Sequence, residues 1–230
     1  MFKKKDQFII GSGFIATKFK KYLKFIKKNN IVIYAAGISN SLEINTVKLN
    51  REIFQIQSFL KKNNRRIIYI STYSINDKSR LKKYYVRNKI KIEKIIVRNS
   101  SNYLIIRLPE IIGKSNNPYT ITNFFYNNIK NQKFFSVHKN SRRNLLDVND
   151  AINNCIKIIR FNHKKNRIIN LLNRRFCTPL TIVNNFEKIL SKKAIYELKD
   201  IKINKWSLKN NYFVNFDKNY LFKTLKKYYI

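Results

Sequence analysis

The stretch Gln7-Phe8-Ile9-Ile10-Gly11-Ser12-Gly13-Phe14-Ile15-Ala16 decides the fold. Gln7 to Ile10 reads as a short buried strand that runs straight into two glycines. Phe19, Leu23 and Ile26 then recur on one face of a helix, which fades near Asn29-Asn30. Gly-x-Gly-x-x-Ala between a strand and a helix is a form of the dinucleotide fingerprint. Gly11 allows the tight turn, Gly13 lets backbone approach a pyrophosphate, and Ala16 allows close helix–strand packing. The amides at the helix start would face the phosphates. The motif alone is short, but its placement matters in a chain with only 4 Gly.

The elements that follow keep the same rhythm. Ile31 to Ala36 is a strand ending at Gly37, and residues 46 to 61 suit a helix through Val47, Ile53, Ile56, Phe59 and Leu60. Arg66 to Ser71 is a strongly apolar strand, Tyr84 to Asn99 has helical spacing, and Tyr103 to Arg107 is again a strand. Strands alternating with helices, each strand continuously apolar, predict an α/β protein: a Rossmann-like parallel sheet with helices on both faces. After Gly113 the texture changes. Helices are expected over 120–130, 149–159, 180–190 and 220–229, and strands over 134–137 and 167–172. The expected division is a dinucleotide-binding core over 1–115 and a smaller substrate-side part over 116–230, whose strand near 167–172 rejoins the sheet.

Composition bounds the function. The chain has 230 residues, of which 44% are hydrophobic and 14% aromatic, enough for a sizeable core. Its formal charge is +37, which first suggests a polyanion partner. Yet 36 Ile and 33 Asn accompany the 36 Lys, and A/T-rich codons are common to all three. The charge is spread along the chain, with no helix-turn-helix, zinc or single-strand-binding pattern, so no specific nucleic-acid site is expected. Cys155 and Cys177 form neither a disulfide framework nor a metal motif, and His138 and His163 have no clustered ligands beside them. The start has only a short apolar stretch, Phe8-Ile9-Ile10, before Gly11, too short for a signal peptide. No apolar run approaches the roughly 20 residues of a membrane span. A soluble, cytoplasmic protein without membrane insertion is expected.

Tyr85 and Lys89 lie four apart and share one helix face. An ammonium near a phenol favours phenolate, and it also suits a ribose hydroxyl. Thr72, after an apolar strand, is placed to bond the same substrate oxygen. In a chain with 14 Tyr the pair means little alone; its order after the glycine loop and Ile70-Ser71-Thr72 gives it weight.

These segments together resemble the extended short-chain dehydrogenase/reductase family, in its NAD-dependent epimerase/dehydratase branch acting on nucleotide-linked sugars. The resemblance covers about residues 7–190. Gly11 to Ala16 is similar to that family's glycine loop with one residue fewer between the first glycines. Tyr34-Ala35-Ala36-Gly37 resembles its His-Ala-Ala-Gly segment, and Asn50 falls near a structural Asn. Thr72 matches the catalytic Ser/Thr, and Tyr85-x-x-x-Lys89-x-x-x-Glu93 matches the catalytic helix. Arg107-Leu108-Pro109 with Gly113, Arg143 to Asp150, and Ile169-Asn170-Leu171 resemble later segments.

The resemblance implies NAD or NADP as cofactor, held by Gly11, Gly13, Phe14, Ile15, Ala35, Ala36, Gly37 and Lys89. It implies Tyr85, Lys89 and Thr72 as catalytic residues, with Arg143 and Thr72 binding a nucleotide-sugar substrate, no metal, and a possible homodimer. Two departures stand out. The chain is shortened between its first and second recognisable strands, where the family has two more strands and the acidic residue that selects the adenosine ribose. Tyr73 and Ser74 also replace the Asp and Glu of sugar-nucleotide dehydratases. An epimerase or keto-reductase is therefore expected, the alternative being a catalytically inactive cofactor- or metabolite-binding relative. Asp147 and Asp150 are read as helix-start residues, Arg142 as a candidate clamp beside Arg143, and Trp206 as core or interface.

Overall fold

The computed structural model describes residues 7–163, 165–200 and 210–230; Trp206 lies outside them. β1 (Ile9–Ile10) leads through the glycine loop into α1 (Phe14–Phe19) and α2 (Leu23–Lys28), which a 3-10 turn at Lys20–Tyr22 separates. The first helix is thus broken where one continuous helix was expected. Next come β2 (Ile31–Tyr34), α3 (Thr46–Lys62), β3 (Arg66–Thr72), α4 (Tyr84–Asn99) and β4 (Tyr103–Leu108). Asn45 caps α3 by accepting from the Lys48 amide at 3.1 Å, which satisfies one of the free donors at a helix start.

β5 (Glu110–Ile112), α5 (Ile121–Lys130), β6 (Phe135–His138), β7 (Leu145–Asp147), α6 (Val148–Phe161) and β8 (Arg167–Asn173) follow. The described chain ends with α7 (Pro179–Leu190), β9 (Tyr196–Lys199), β10 (Asn211–Val214) and α8 (Tyr220–Tyr229). The main sheet has the order β1-β2-β3-β4-β8-β10, and all its pairings are parallel. β10 is a strand beyond those expected from the sequence. It carries two polar or exposed positions in four and sits at the sheet edge, where one-sided burial leaves a faint pattern. Two small parallel pairs, β5 with β7 and β6 with β9, stand beside the sheet.

The period-two alternation of the strands sorts the core. Ile33, Ile68, Leu104 and Ile106 point into one cluster with Phe19 and Ala151, under α1, α2 and α6. Tyr34, Ile67, Tyr69 and Ile105 point the other way and meet Ile56, Ile92 and Ile96 of α3 and α4. Helices therefore cover both faces, as the continuous apolar strands require. A third cluster of Phe125, Ile129, Ile182, Phe186 and Leu225 gives the C-terminal part its own core beneath α5, α7 and α8. Among the described residues, no helix is long and apolar enough to cross a membrane.

Among the described residues β1 hydrogen-bonds only to β2, so it lies at the edge of the sheet they form, and no further described strand bounds the glycine loop on that side.

Candidate active site

The C-terminal ends of β1, β2, β3 and β4 open into two cavities, the location where a parallel sheet presents loops to a ligand. The larger, about 870 Å3, is lined by Gly13, Phe14, Ile15, Ala35, Ala36 and Gly37 on one side and by Thr72, Tyr85 and Lys89 on another. The smaller, about 180 Å3, is lined by Thr72, Tyr85, Arg80, Glu110, Arg142 and Arg143 among others. Thr72 and Tyr85 line both, so they stand where the two cavities meet. Asn117 Nδ2 donates to the Ser39 carbonyl at 3.1 Å and ties together two loops that border both cavities.

Gly11 has φ +123°, a conformation that L side chains avoid, and a Cβ there would fall 2.7 Å from the Ala35 carbonyl oxygen. Gly11 thus shapes the loop from behind and does not line the cavity. Gly13 differs: a Cβ on it would meet nothing within 4 Å, so its backbone fronts open space. Ala16 is fully buried, as close helix–strand packing requires. A side chain at Gly113 would collide with the Phe14 ring and with Val148, which explains the glycine that closes this wall.

Thr72 ends β3; its hydroxyl accepts from the Ser74 amide at 3.2 Å and starts the 3-10 turn Tyr73–Asn76. Tyr85 is half-buried in the first turn of α4. Lys89, one turn on, is almost fully buried, and its direct partners are not the Tyr85 hydroxyl. Nζ donates to Glu52 Oε1 at 2.7 Å and to the Tyr69 hydroxyl at 3.1 Å, while the Tyr85 ring centroid lies 5.8 Å away. Burial opposes the Lys89 charge, but Tyr69, Glu52 and Tyr85 outweigh it and shift its pKa upward. Burial likewise raises the Tyr69 phenol, which stays protonated.

Glu52 is the residue that sequence reasoning missed. Asn50, the proposed structural Asn, is exposed on α3, whereas Leu49, Glu52 and Ile56 form its buried stripe. A carboxylate at three- and four-residue spacing inside an apolar stripe was the available signal. Glu93 is likewise structural in its contacts: it accepts from Ser71 Oγ at 2.6 Å and from Arg107 Nη2 at 2.6 Å.

Arg143 is expected to meet substrate, but Nη1 donates to Glu110 Oε1 at 3.0 Å, and the backbone pairs with Cys177. Arg142 is exposed and its guanidinium sits over the Phe176 ring, 4.8 Å from the centroid. Asp147 caps α6 through the Asn149 amide at 2.6 Å, in keeping with a helix start, and also binds Lys227 at 2.7 Å. His138 ends β6 and His163 is exposed; no cluster of potential metal ligands occurs among the described residues.

Neither a family model nor a curated protein matches the chain. Solved structures do. UDP-N-acetylglucosamine 4-epimerase from Bacillus cereus superposes with a TM-score of 0.69 at 16% identity, over 95% of this chain and 93% of that one. UDP-glucuronic acid 4-epimerase from the same organism, in complex with UDP-glucuronic acid and NAD, gives 0.69 at 16% identity, over 97% and 88%. RMD from Pseudomonas aeruginosa, complexed with NADPH, gives 0.62 at 12%, over 93% of each chain. The likeness is one of fold. It extends across the main sheet and the C-terminal part alike, so the shortened chain keeps the architecture of these proteins nearly from end to end.

Proposed function

We propose that the chain is an NAD(P)-dependent enzyme acting on a nucleotide-linked sugar, as an epimerase or keto-reductase. The observation that carries this reading is the junction at Thr72 and Tyr85: one wide cavity behind the glycine loop and one narrower, arginine-bearing cavity share these two hydroxyl side chains. The structural neighbours named in complex with UDP-glucuronic acid and NAD, and with NADPH, support the same reading.

The larger cavity suits a dinucleotide. Gly13 fronts open space, Ala35, Ala36 and Gly37 form a low wall, and Lys89 also lines the cavity. No Asp or Glu lines it among the described residues, so no carboxylate there repels the 2′-phosphate of NADP, and both cofactors belong to the proposal. A nicotinamide held there would supply hydride exchange at a sugar carbon. Tyr85 moves the proton at the oxygen on that carbon, and Thr72 holds the same oxygen by a hydrogen bond. Arg143, held by Glu110, and Arg142 both line the smaller cavity and offer guanidinium groups to the nucleotide's anionic part. Tyr73 and Ser74 supply no carboxyl beside Thr72, which favours epimerase or reductase chemistry over dehydration.

Calorimetric titration with NAD, NADH, NADP and NADPH, followed by candidate nucleotide sugars, tests this reading. Binding of at least one dinucleotide and turnover of a nucleotide sugar are expected. A wild-type protein that binds none of the four dinucleotides refutes it.

A further inference from the structure

Lys89 lines the larger cavity, yet it does not hang free in it. An ammonium carries three N–H donors and no acceptor. Two have partners within the protein: Glu52 Oε1 at 2.7 Å and the Tyr69 hydroxyl at 3.1 Å. Both partners are themselves fixed. Glu52 Oε2 accepts from the Ile38 amide at 3.3 Å and from Asn88 Nδ2 at 3.2 Å, and the Tyr69 hydroxyl lies 3.4 Å from Glu52 Oε1. Tyr69 is 1% exposed and Glu52 4% exposed, so neither side chain is in contact with bulk water. Gly37 completes the cage: a Cβ there would lie 2.6 Å from Lys89 Nζ and 2.8 Å from Glu52 Oε1. Among the described residues one donor of the ammonium is left without an acceptor, and Lys89 lines the larger cavity.

We propose that Glu52 and Tyr69 are positioning residues that fix two donors of Lys89 so that the third is presented to the ribose next to the nicotinamide. The inference rests on the cofactor reading above and deepens it. It assigns a task to a buried carboxylate on α3, an element that contributes no residue, Glu52 included, to the lining of either cavity. A lysine on four rotatable bonds has many ways to lie along a cavity wall. Anchoring it at two points before the cofactor arrives removes the entropy cost of ordering it on binding. The carboxylate also keeps the buried amine charged, which a ribose hydroxyl alone would not do.

The experiment compares NADH with ADP, which contains the pyrophosphate and adenosine but no nicotinamide ribose, in the wild type, Glu52→Gln and Tyr69→Phe. Glu52→Gln is expected to raise the Kd for NADH about tenfold or more, the scale of a hydrogen bond to a charged group, while the Kd for ADP stays at the wild-type value. Tyr69→Phe removes one hydroxyl and should give a smaller loss in the same direction; it also serves should Glu52→Gln fail to fold. An unchanged Kd for NADH in the variant that folds overturns the proposal, and so does an equal loss for NADH and ADP, which marks a purely structural role. NADPH with 2′-phospho-ADP replaces NADH with ADP if the wild type binds only the phosphorylated cofactor. If it binds none of NAD, NADH, NADP and NADPH, the cofactor reading fails and this inference falls with it, an outcome visible before any variant is made.

Discussion

Arg143 Nη1 donates to Glu110 Oε1 at 3.0 Å, and that same oxygen lies 3.6 Å from Arg80 Nη2, which in turn is held through Nε by Asp77 at 3.2 Å. The arginine that the sequence offers to a substrate anion is thus one link in an alternating chain of charges along the smaller cavity. Glu110 joins two cations, while its other oxygen is buried without a hydrogen-bond partner among the described residues.

The titration of Glu110 follows from that setting. Burial pushes its carboxyl up to about 7, Arg80 works against the rise and Asp77 adds to it. The folded protein therefore keeps a proton that the unfolded chain releases from about pH 4.5 upward. With more protons bound in the folded state, stability falls as pH rises through this window and levels off above about 7. Scanning calorimetry between pH 5 and 8 should show that decline, and Glu110→Gln should flatten it. A slope identical in the variant would reject the assignment.

The two loop glycines should separate fold from function. Gly11→Ala forces a Cβ onto the Ala35 carbonyl at a positive φ and should cost at least 1–3 kcal/mol, roughly the scale of local backbone strain. Gly13→Val meets open space and should unfold at nearly the wild-type urea midpoint, yet lose dinucleotide binding. Equal binding by wild type and Gly13→Val would mean that no ligand approaches this backbone.

Tyr85→Phe removes a hydroxyl at the cavity junction. Turnover should drop roughly 10²–10⁴-fold, the usual contribution of a general acid or base, with cofactor affinity kept. Thr72→Val should also lower turnover more than affinity. Absorbance at 340 nm follows a reductase, and product chromatography follows a redox-neutral epimerase. Near-normal turnover in Tyr85→Phe would remove the tyrosine from the mechanism.

Arg107 and Glu93 form a pair at 2.6 Å, with the Glu93 side chain 5% exposed. Arg107→Met leaves that carboxylate buried without its cation, and stability should fall by about 3–5 kcal/mol. Urea unfolding of the variant measures it. A loss below about 1 kcal/mol, the range of an exposed pair, would show that the pair is dispensable.

The sequence by itself determined the repeating unit and most of its parts. The β3 and β4 runs are continuously apolar because helices cover both faces, and α4 emerges at Tyr84–Asn99 because its apolar period is regular over four turns. The glycine loop was legible for a local reason: a strand, a φ-positive residue and a small helix residue lie within a few positions of one another. Tyr85 and Lys89 share a face by helical spacing alone. What the tertiary structure decided is which groups those side chains meet. Lys89 pairs with Glu52, 37 residues back, and with Tyr69, 20 residues back. Arg143 pairs with Glu110, 33 residues back. β10 reaches the sheet only by pairing with β8. Local periodicity fixes the direction in which a side chain leaves its own element, whereas the partner of a buried charge depends on how separate elements pack, and no short-range pattern encodes that.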